Sequence, residues 1–355
     1  VRDKGAYDTL KPMDISRWQH ELREVIRDPG QLREKTGVAA ANGTFSGAGA
    51  TAFPLKVPLS YVNRMQAGQA DDPLLRQVLP LAEEDLAHPG YTTDPLGELD
   101  STATPGLIQK YAGRVLLVTT SVCAIHCRYC FRRHYPYSDN NPGRENWTAA
   151  LDYILSDTSI EEVILSGGDP LSLSDERLGT LITKLEQIPH LRWLRIHTRM
   201  PVVLPSRITD SLLKILTDNR FKQTMVIHAN HPNEIEADVL PVLQRLHASG
   251  MQLLNQSVLL KGVNDNAEVL RELSLRLYSH HVLPYYLHML DPIAGAAHFE
   301  VEEARATAII ETLRSSLPGY LVPRLVRETR GAKSKTPVTS GYVASGSDPR
   351  PPENS

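Results

Sequence analysis

Cys123-Ala-Ile-His-Cys127-Arg-Tyr-Cys130 holds all three cysteines of the chain in a C-x3-C-x2-C spacing. It directly follows the apolar run Arg114-Val-Leu-Leu-Val-Thr-Thr, which reads as a strand. Three thiols in one short loop are poor material for a disulfide framework. Thiolate sulfur is a soft ligand that suits iron–sulfur clusters, zinc or copper(I). A structural zinc needs a fourth ligand, and locally only His126 or His134 could provide it. A four-iron cube held by three cysteines leaves one iron without a protein ligand, so a small molecule can bind there.

Working outward from this loop, apolar β-rich runs recur at Val115–Val122, Glu162–Ser166, Trp193–His197, Met225–His228, Leu253–Leu260 and Val282–Leu290. Amphipathic patterns lie between them at Trp147–Ser156, Asp175–Ile188, Ile208–Asn219, Ile235–Ser249 and Ala267–His280. Continuous apolar strands alternating with helices predict parallel β/α units covered on both sheet faces. Six such units fit an open, partial TIM-like (β/α)6 barrel; pattern alone leaves a doubly wound sheet open. In either architecture chemistry gathers at the carboxyl ends of strands, where the cysteine loop sits.

The flanks have different textures. Residues 10–35 carry Ile15-Ser-Arg-Trp-Gln-His-Glu-Leu-Arg-Glu-Val-Ile, the pattern of an amphipathic surface helix. Residues 37–53 are small and Gly-rich and predict a loop, and Pro54 to Gly97 predicts short helices joined by turns. The expected organisation is a mostly helical cap over residues 1–100, a β/α core over 101–326, a short segment over 327–339, and a disordered polar tail over 340–355. The 355 residues carry a net charge of −3, with 41% hydrophobic and 22% charged side chains. That is an ordinary globular composition with no electrostatic case for nucleic acid. No apolar run is long enough to span a bilayer, and Val1-Arg-Asp-Lys-Gly lacks the apolar centre of a secretory signal. Clustered free thiols favour a reducing compartment, so the expected location is the cytoplasm.

Two further stretches carry candidate chemistry. Ser166-Gly167-Gly168-Asp169 ends the second strand; its glycines allow backbone to approach a ligand, and its carboxylate can accept from an ammonium group. Phe131-Arg132-Arg133-His134 follows the last cysteine, and a guanidinium there suits a substrate carboxylate. Alone, the first stretch is also an ordinary turn and the second an ordinary solvated surface.

Together the cysteine spacing and the Ser166–Asp169 stretch resemble the signature of the radical S-adenosylmethionine (SAM) enzymes. That resemblance implies a [4Fe–4S] cluster on Cys123, Cys127 and Cys130, with SAM on its open iron and its amino group near Ser166, Gly167, Gly168 and Asp169. Cys127-Arg-Tyr-Cys-Phe-Arg-Arg-His, Thr93-Asp-Pro-Leu-Gly-Glu, Pro105-Gly-Leu-Ile-Gln-Lys-Tyr, Asn255-Gln-Ser-Val-Leu-Leu and Lys335-Thr-Pro-Val narrow the likeness to the lysine 2,3-aminomutases. It runs from about Leu55 to Val338. It looks most like the bacterial branch making (R)-β-lysine for modification of elongation factor P. The family uses pyridoxal 5′-phosphate (PLP), which the resemblance assigns to Lys335, with Arg114 and Tyr111 around it. A lysine must lose its proton to form an imine, and its ordinary pKa is about 10.4. Here Ala332, Lys333 and Ser334 interrupt the family's glycine run before that lysine.

The same resemblance places Arg132 at the substrate carboxylate, Asp291 and Glu328 at its ε-ammonium, and His228 and Gln256 on the SAM side. It implies L-lysine as substrate, an electron donor such as a flavodoxin or ferredoxin, a link to elongation factor P and its ligase, and a homo-oligomer. Longer relatives carry extra cysteines for zinc, which this sequence does not contain, so no zinc is expected. Two alternatives stay open: an aminomutase for another amino acid such as glutamate, and a non-catalytic module with a metal on its cysteines.

Overall fold

The computed structural model describes residues 16–39, 53–138 and 147–339. Residues 10–15, most of the Gly-rich stretch and the 340–355 tail lie outside the described residues. The six expected strands are present as β3 (Arg114–Thr120), β4 (Glu162–Gly167), β5 (Trp193–Thr198), β6 (Lys222–His228), β7 (Gln252–Val258) and β8 (Val282–His288). They pair in parallel and in strictly sequential order. A doubly wound sheet would reverse its order at a switch point. A sequential order instead curls the sheet into a barrel wall, with every loop that follows a strand on one rim.

Four strands extend what the sequence pattern predicts. β1 (Thr102–Thr104) and β2 (Leu107–Tyr111) form an antiparallel meander that leads into β3. β9 (Arg324–Arg327) joins β8 in parallel, and β10 (Thr336–Pro337) folds back antiparallel on β9. β1 and β10 are the sheet edges, so the barrel stays open.

Each crossover helix buries one stripe. In the helix Asp175–Glu186 the buried side chains are Leu178, Leu181, Ile182 and Leu185, spaced i, i+3, i+4, i+7. Ser174 accepts from the Arg177 backbone N–H, and Asp175 and Glu176 complement the positive end of the helix. The stripe packs on buried Val163, Leu165, Leu194 and Ile196 in one continuous core. Burial of each such side chain contributes about 1.5–3 kcal/mol before conformational entropy is counted.

The amphipathic segment near the N-terminus is two helices, not one: Arg17–Arg23 and Pro29–Thr36. Proline disfavours helical backbone in the residue before it. Asp28 therefore stays extended and caps the second helix, accepting from Gln31 N at 2.7 Å. Between Pro54 and Gly97 there are short helices at Leu59–Val62, Pro73–Arg76 and Ala82–Asp85, as the proline density implies. No helix among the described residues is long and apolar enough to cross a membrane.

Candidate active site

The cysteine loop leaves the end of β3 and is stapled to the segment before the sheet. Lys56 donates to the Cys123 carbonyl at 2.6 Å, His126 N to Lys56 O at 2.9 Å, and Arg128 N to Gln77 O at 2.9 Å. Underneath lies a buried ion cluster. Glu84 takes Arg128 Nε at 2.8 Å, pairs again with Arg128 Nη2, and accepts from Arg133 Nη2 at 2.8 Å. Arg133 also donates to the carbonyls of Arg128 and Gly295, both at 3.0 Å. The adjacent arginines that follow Cys130 are thus divided. Arg133 is structural, while Arg132 turns to the pocket.

Burial and neighbouring anions push the Cys123 thiol well above its usual range, and burial with Cys127 beside it raises Cys130 to about 11. Cys123 and Cys130 therefore rest as neutral thiols, and a multiply charged cation among the sulfurs would favour their thiolate forms. His126 lies 2.7 Å from the Pro54 carbonyl and His134 lies 3.1 Å from that of Ala294, so each local histidine has one ring nitrogen spent on backbone. Among the described residues no three His, Cys, Asp or Glu side chains are gathered around a point that would hold a single metal ion. A four-iron cube binds each cysteine through a different iron and does not require that convergence.

The Ser166–Asp169 stretch is sewn onto the same loop, with Gly168 N on Thr120 O at 2.7 Å and Asp169 N on Val122 O at 2.8 Å. A Cβ at Gly168 would stand 2.5 Å from Val122 O, and one at Gly167, where φ is +115°, would stand 2.8 Å from Thr120 O. These glycines are demanded by the approach of two backbones, beyond any approach of a ligand. Asp169 is also held by the chain itself. Its carboxylate is buried and accepts from Leu171 N (3.0 Å), Thr198 Oγ1 (2.7 Å) and Arg199 N (2.7 Å). It braces the turn, and the positions where it could accept an outside ammonium are largely filled.

At the far end, Glu328 pairs with Lys335, lies 3.4 Å from Lys110 Nζ, and accepts from Tyr111 OH at 3.1 Å. Burial opposes its ionisation, but the two ammonium groups outweigh that and hold its carboxyl at about 2. Asp291 is pushed the other way, to about 7, by burial and by the Glu328 charge. Lys335 Nζ sits 5.8 Å from the centre of the Tyr286 ring. Arg114 and Tyr111 face each other across the β2–β3 hairpin, guanidinium 4.8 Å from ring centre.

Arg132 lies between the two ends. Its Nε and Nη2 each donate to Glu98 at 2.7 Å, and Nη1 donates to Ser166 Oγ at 3.1 Å. His228 and Gln256 are neighbours across β6 and β7. His228 Nε2 lies 2.9 Å from Tyr129 OH, and burial with the Arg199 cation lowers its pKa to about 3. The fifteen residues that the family resemblance assigns to the site line one cavity of about 430 Å³, a size suited to a cofactor with a small substrate.

The cavity wall also contains residues that sequence reasoning did not assign. Glu98 and Lys110 lie within stretches that carried the family likeness, yet nothing in the sequence shows that they meet Arg132 and Glu328. His197 and His288 line the wall with depressed pKa values, by burial first and then by nearby cations, His288 falling to about 3. Arg199, one residue beyond β5, reaches Cys127.

The Radical SAM superfamily profile matches residues 117–273. The L-lysine 2,3-aminomutase of Escherichia coli (strain K12) is 44% identical over 331 residues, covering 93% of this chain and 96% of that protein. The L-lysine 2,3-aminomutase of Haemophilus influenzae is 46% identical over 319 residues, covering 90% and 94%. That of Clostridium subterminale is 36% identical over 349 residues, covering 96% and 82%. Membership of the superfamily implies a [4Fe–4S] cluster and SAM, and the three free cysteines on the rim of the barrel fit such a cluster. The chain belongs to the L-lysine 2,3-aminomutase family of radical SAM isomerases.

Proposed function

We propose that this enzyme moves the α-amino group of L-lysine to C3, giving β-lysine, with PLP carried on Lys335. The observation supporting the reading is the polarity of this cavity. The Arg132 guanidinium is linked through Glu98 to an end holding two carboxyls and two amines, and the three thiols line the same cavity. The donor set fits PLP: a half-buried amine at Lys335, a guanidinium at Arg114 for a phosphate, and the Tyr111 and Tyr286 rings beside them. When bound, the cluster with SAM supplies hydrogen-atom abstraction and PLP supplies an aldehyde carbon for the migrating nitrogen.

The chain's own residues bind and orient. Glu98 and Ser166 occupy three of the five N–H groups of Arg132, leaving one on each terminal nitrogen. Those two form an end-on fork for the lysine carboxylate, and Glu98 fixes its direction. Glu328 is the standing anion for the ε-ammonium. Asp291 holds its proton near neutrality and releases it when a second ammonium arrives, because an adjacent cation favours the carboxylate. Two carboxyls at this end disfavour a substrate ending in carboxylate, such as glutamate.

The Phe131–His134 sequence aligns the reading with R-configured β-lysine destined for elongation factor P and its ligase, in the cytoplasm, with a flavodoxin or ferredoxin as electron source. The test is anaerobic incubation of enzyme loaded with iron, sulfide, SAM and PLP with dithionite and L-lysine, followed by chiral analysis. (R)-β-lysine is expected. Turnover of L-glutamate but not L-lysine would overturn the substrate, and the S enantiomer would overturn the pathway.

A further inference from the structure

We propose that Arg199 tunes the reduction potential of the iron–sulfur centre through a charged hydrogen bond to the sulfur of Cys127. The proposal rests on the reading that Cys123, Cys127 and Cys130 hold the cluster. Arg199 follows β5 directly, and its Nη1 lies 2.7 Å from Cys127 Sγ. Its other terminal nitrogen is gripped by Gln77 Oε1 at 2.7 Å, Glu234 Oε2 at 2.8 Å and Tyr61 OH at 3.1 Å. The guanidinium lies 5.3 Å from the ring centre of Tyr61 and 5.8 Å from that of Tyr129. Gln77 and Glu234 are fully buried and Arg199 is 6% exposed. The group is therefore aimed at the sulfur by a rigid, dry cage.

The physical consequence follows from where the charges lie. Glu234 neutralises the cation from its far edge, so the near edge presents a positive dipole to the thiolate. Reduction adds an electron to a cluster that shares its charge with that sulfur. A donor at the sulfur stabilises the reduced state more than the oxidised one, and low local dielectric enlarges the difference. The backbone of the same residue donates to Asp169 Oδ2 at 2.7 Å. Arg199 thus joins the cysteine loop to the turn at the end of β4. A mere brace would need only that backbone bond; it would not require a buried cation pointed at a thiol.

The test is a redox titration followed by electron paramagnetic resonance on reconstituted wild type, Arg199→Gln and Arg199→Lys, with iron and acid-labile sulfide counted in each. Arg199→Gln removes the charge and is expected to lower the ratio of reduced to oxidised cluster about tenfold at a fixed potential, a shift of about 59 mV for one electron. Arg199→Lys keeps the charge with poorer aim and is expected to shift it less, in the same direction. A wild-type potential in Arg199→Gln at full iron content would overturn the proposal. If Arg199→Gln holds no cluster, Arg199→Lys decides: a smaller shift supports the proposal and an unchanged potential overturns it. Clusters missing from both variants would mark a structural clamp and overturn it too. Absence of iron and sulfide from the wild type would instead sink the cluster reading itself.

Discussion

Replacing Glu84 by Gln attacks the ion cluster beneath the cysteine loop without touching a thiol. Glu84 is the shared anion for Arg128 and Arg133, whose side chains are 0% and 2% exposed, and is itself inaccessible to solvent. Glutamine keeps one acceptor oxygen but presents an NH2 to a guanidinium and leaves two buried cations without their charge partner. Breaking a buried pair by removing one member costs about 3–5 kcal/mol. The backbone carbonyls that Arg133 also contacts bring the expectation to the lower half of that range. An unfolding entropy of about 2.1 cal/mol/K per residue gives roughly 0.7 kcal/mol/K for a chain of this length, so the melting temperature should fall by about 4–6 °C. Because Arg128 and Arg133 bracket Cys130, the variant should also take up less iron on reconstitution. Thermal melting of the apo-protein and an iron count provide the readouts. A shift under about 1 °C with full iron content would refute the reasoning, because it would mean that the buried charges carry no net pairing energy.

Three other perturbations test the site. Gly168→Ala drives a Cβ to 2.5 Å from the Val122 carbonyl; the backbone entering Cys123 must shift, at about 1–3 kcal/mol, seen as a lower melting temperature and substoichiometric iron. Lys335→Ala should retain iron and sulfide but lose the absorbance of bound PLP; persisting turnover would show that another amine serves. Asp291 titrates at about 7 when folded, above its usual value, so its contribution to stability is complete below about pH 4 and is lost as pH rises through 7. Asp291→Asn should therefore match wild type in acid and exceed it above pH 7, by on the order of 1–3 kcal/mol. Melting curves across that range would expose an error of sign.

Much of the frame was legible because its physics is local. Parallel strands covered on both faces are rich in apolar residues, so β3 to β8 stand out as apolar-rich runs even where polar side chains such as Arg195 or Asn255 interrupt them. β1, β2 and β10 pair as local antiparallel hairpins, but they are short and mostly half-buried or exposed, so no apolar run marks them in the sequence. The helix Glu303–Ser316 was different: its buried Ala306, Ile309, Ile310 and Leu313 follow helical spacing and could have been read. The cysteines carry their chemistry in their spacing. Glu98, Lys110 and Arg199 do not, since a lone charged residue looks solvated until the fold brings its partner to it. The bracing of Asp169 was equally hidden, since Leu171 N, Thr198 Oγ1 and Arg199 N meet its carboxylate only once the fold is formed.

The segment bearing Lys335 is tied down by two register pairs, Thr336 with Arg327 and Pro337 with Val326, and proline brings no N–H to that ladder. One backbone bond from Val338 N to Leu325 O at 3.0 Å, the buried Val338 side chain and the Lys335–Glu328 ion pair complete the attachment. So slight an attachment can detach while the barrel remains intact, at a free energy far below that of global unfolding. Amide hydrogens after Glu328 should consequently exchange much faster than those of β4 to β7. Any molecule bonded to that amine would act as a latch, slowing exchange in one short region and leaving the rest of the sheet indifferent.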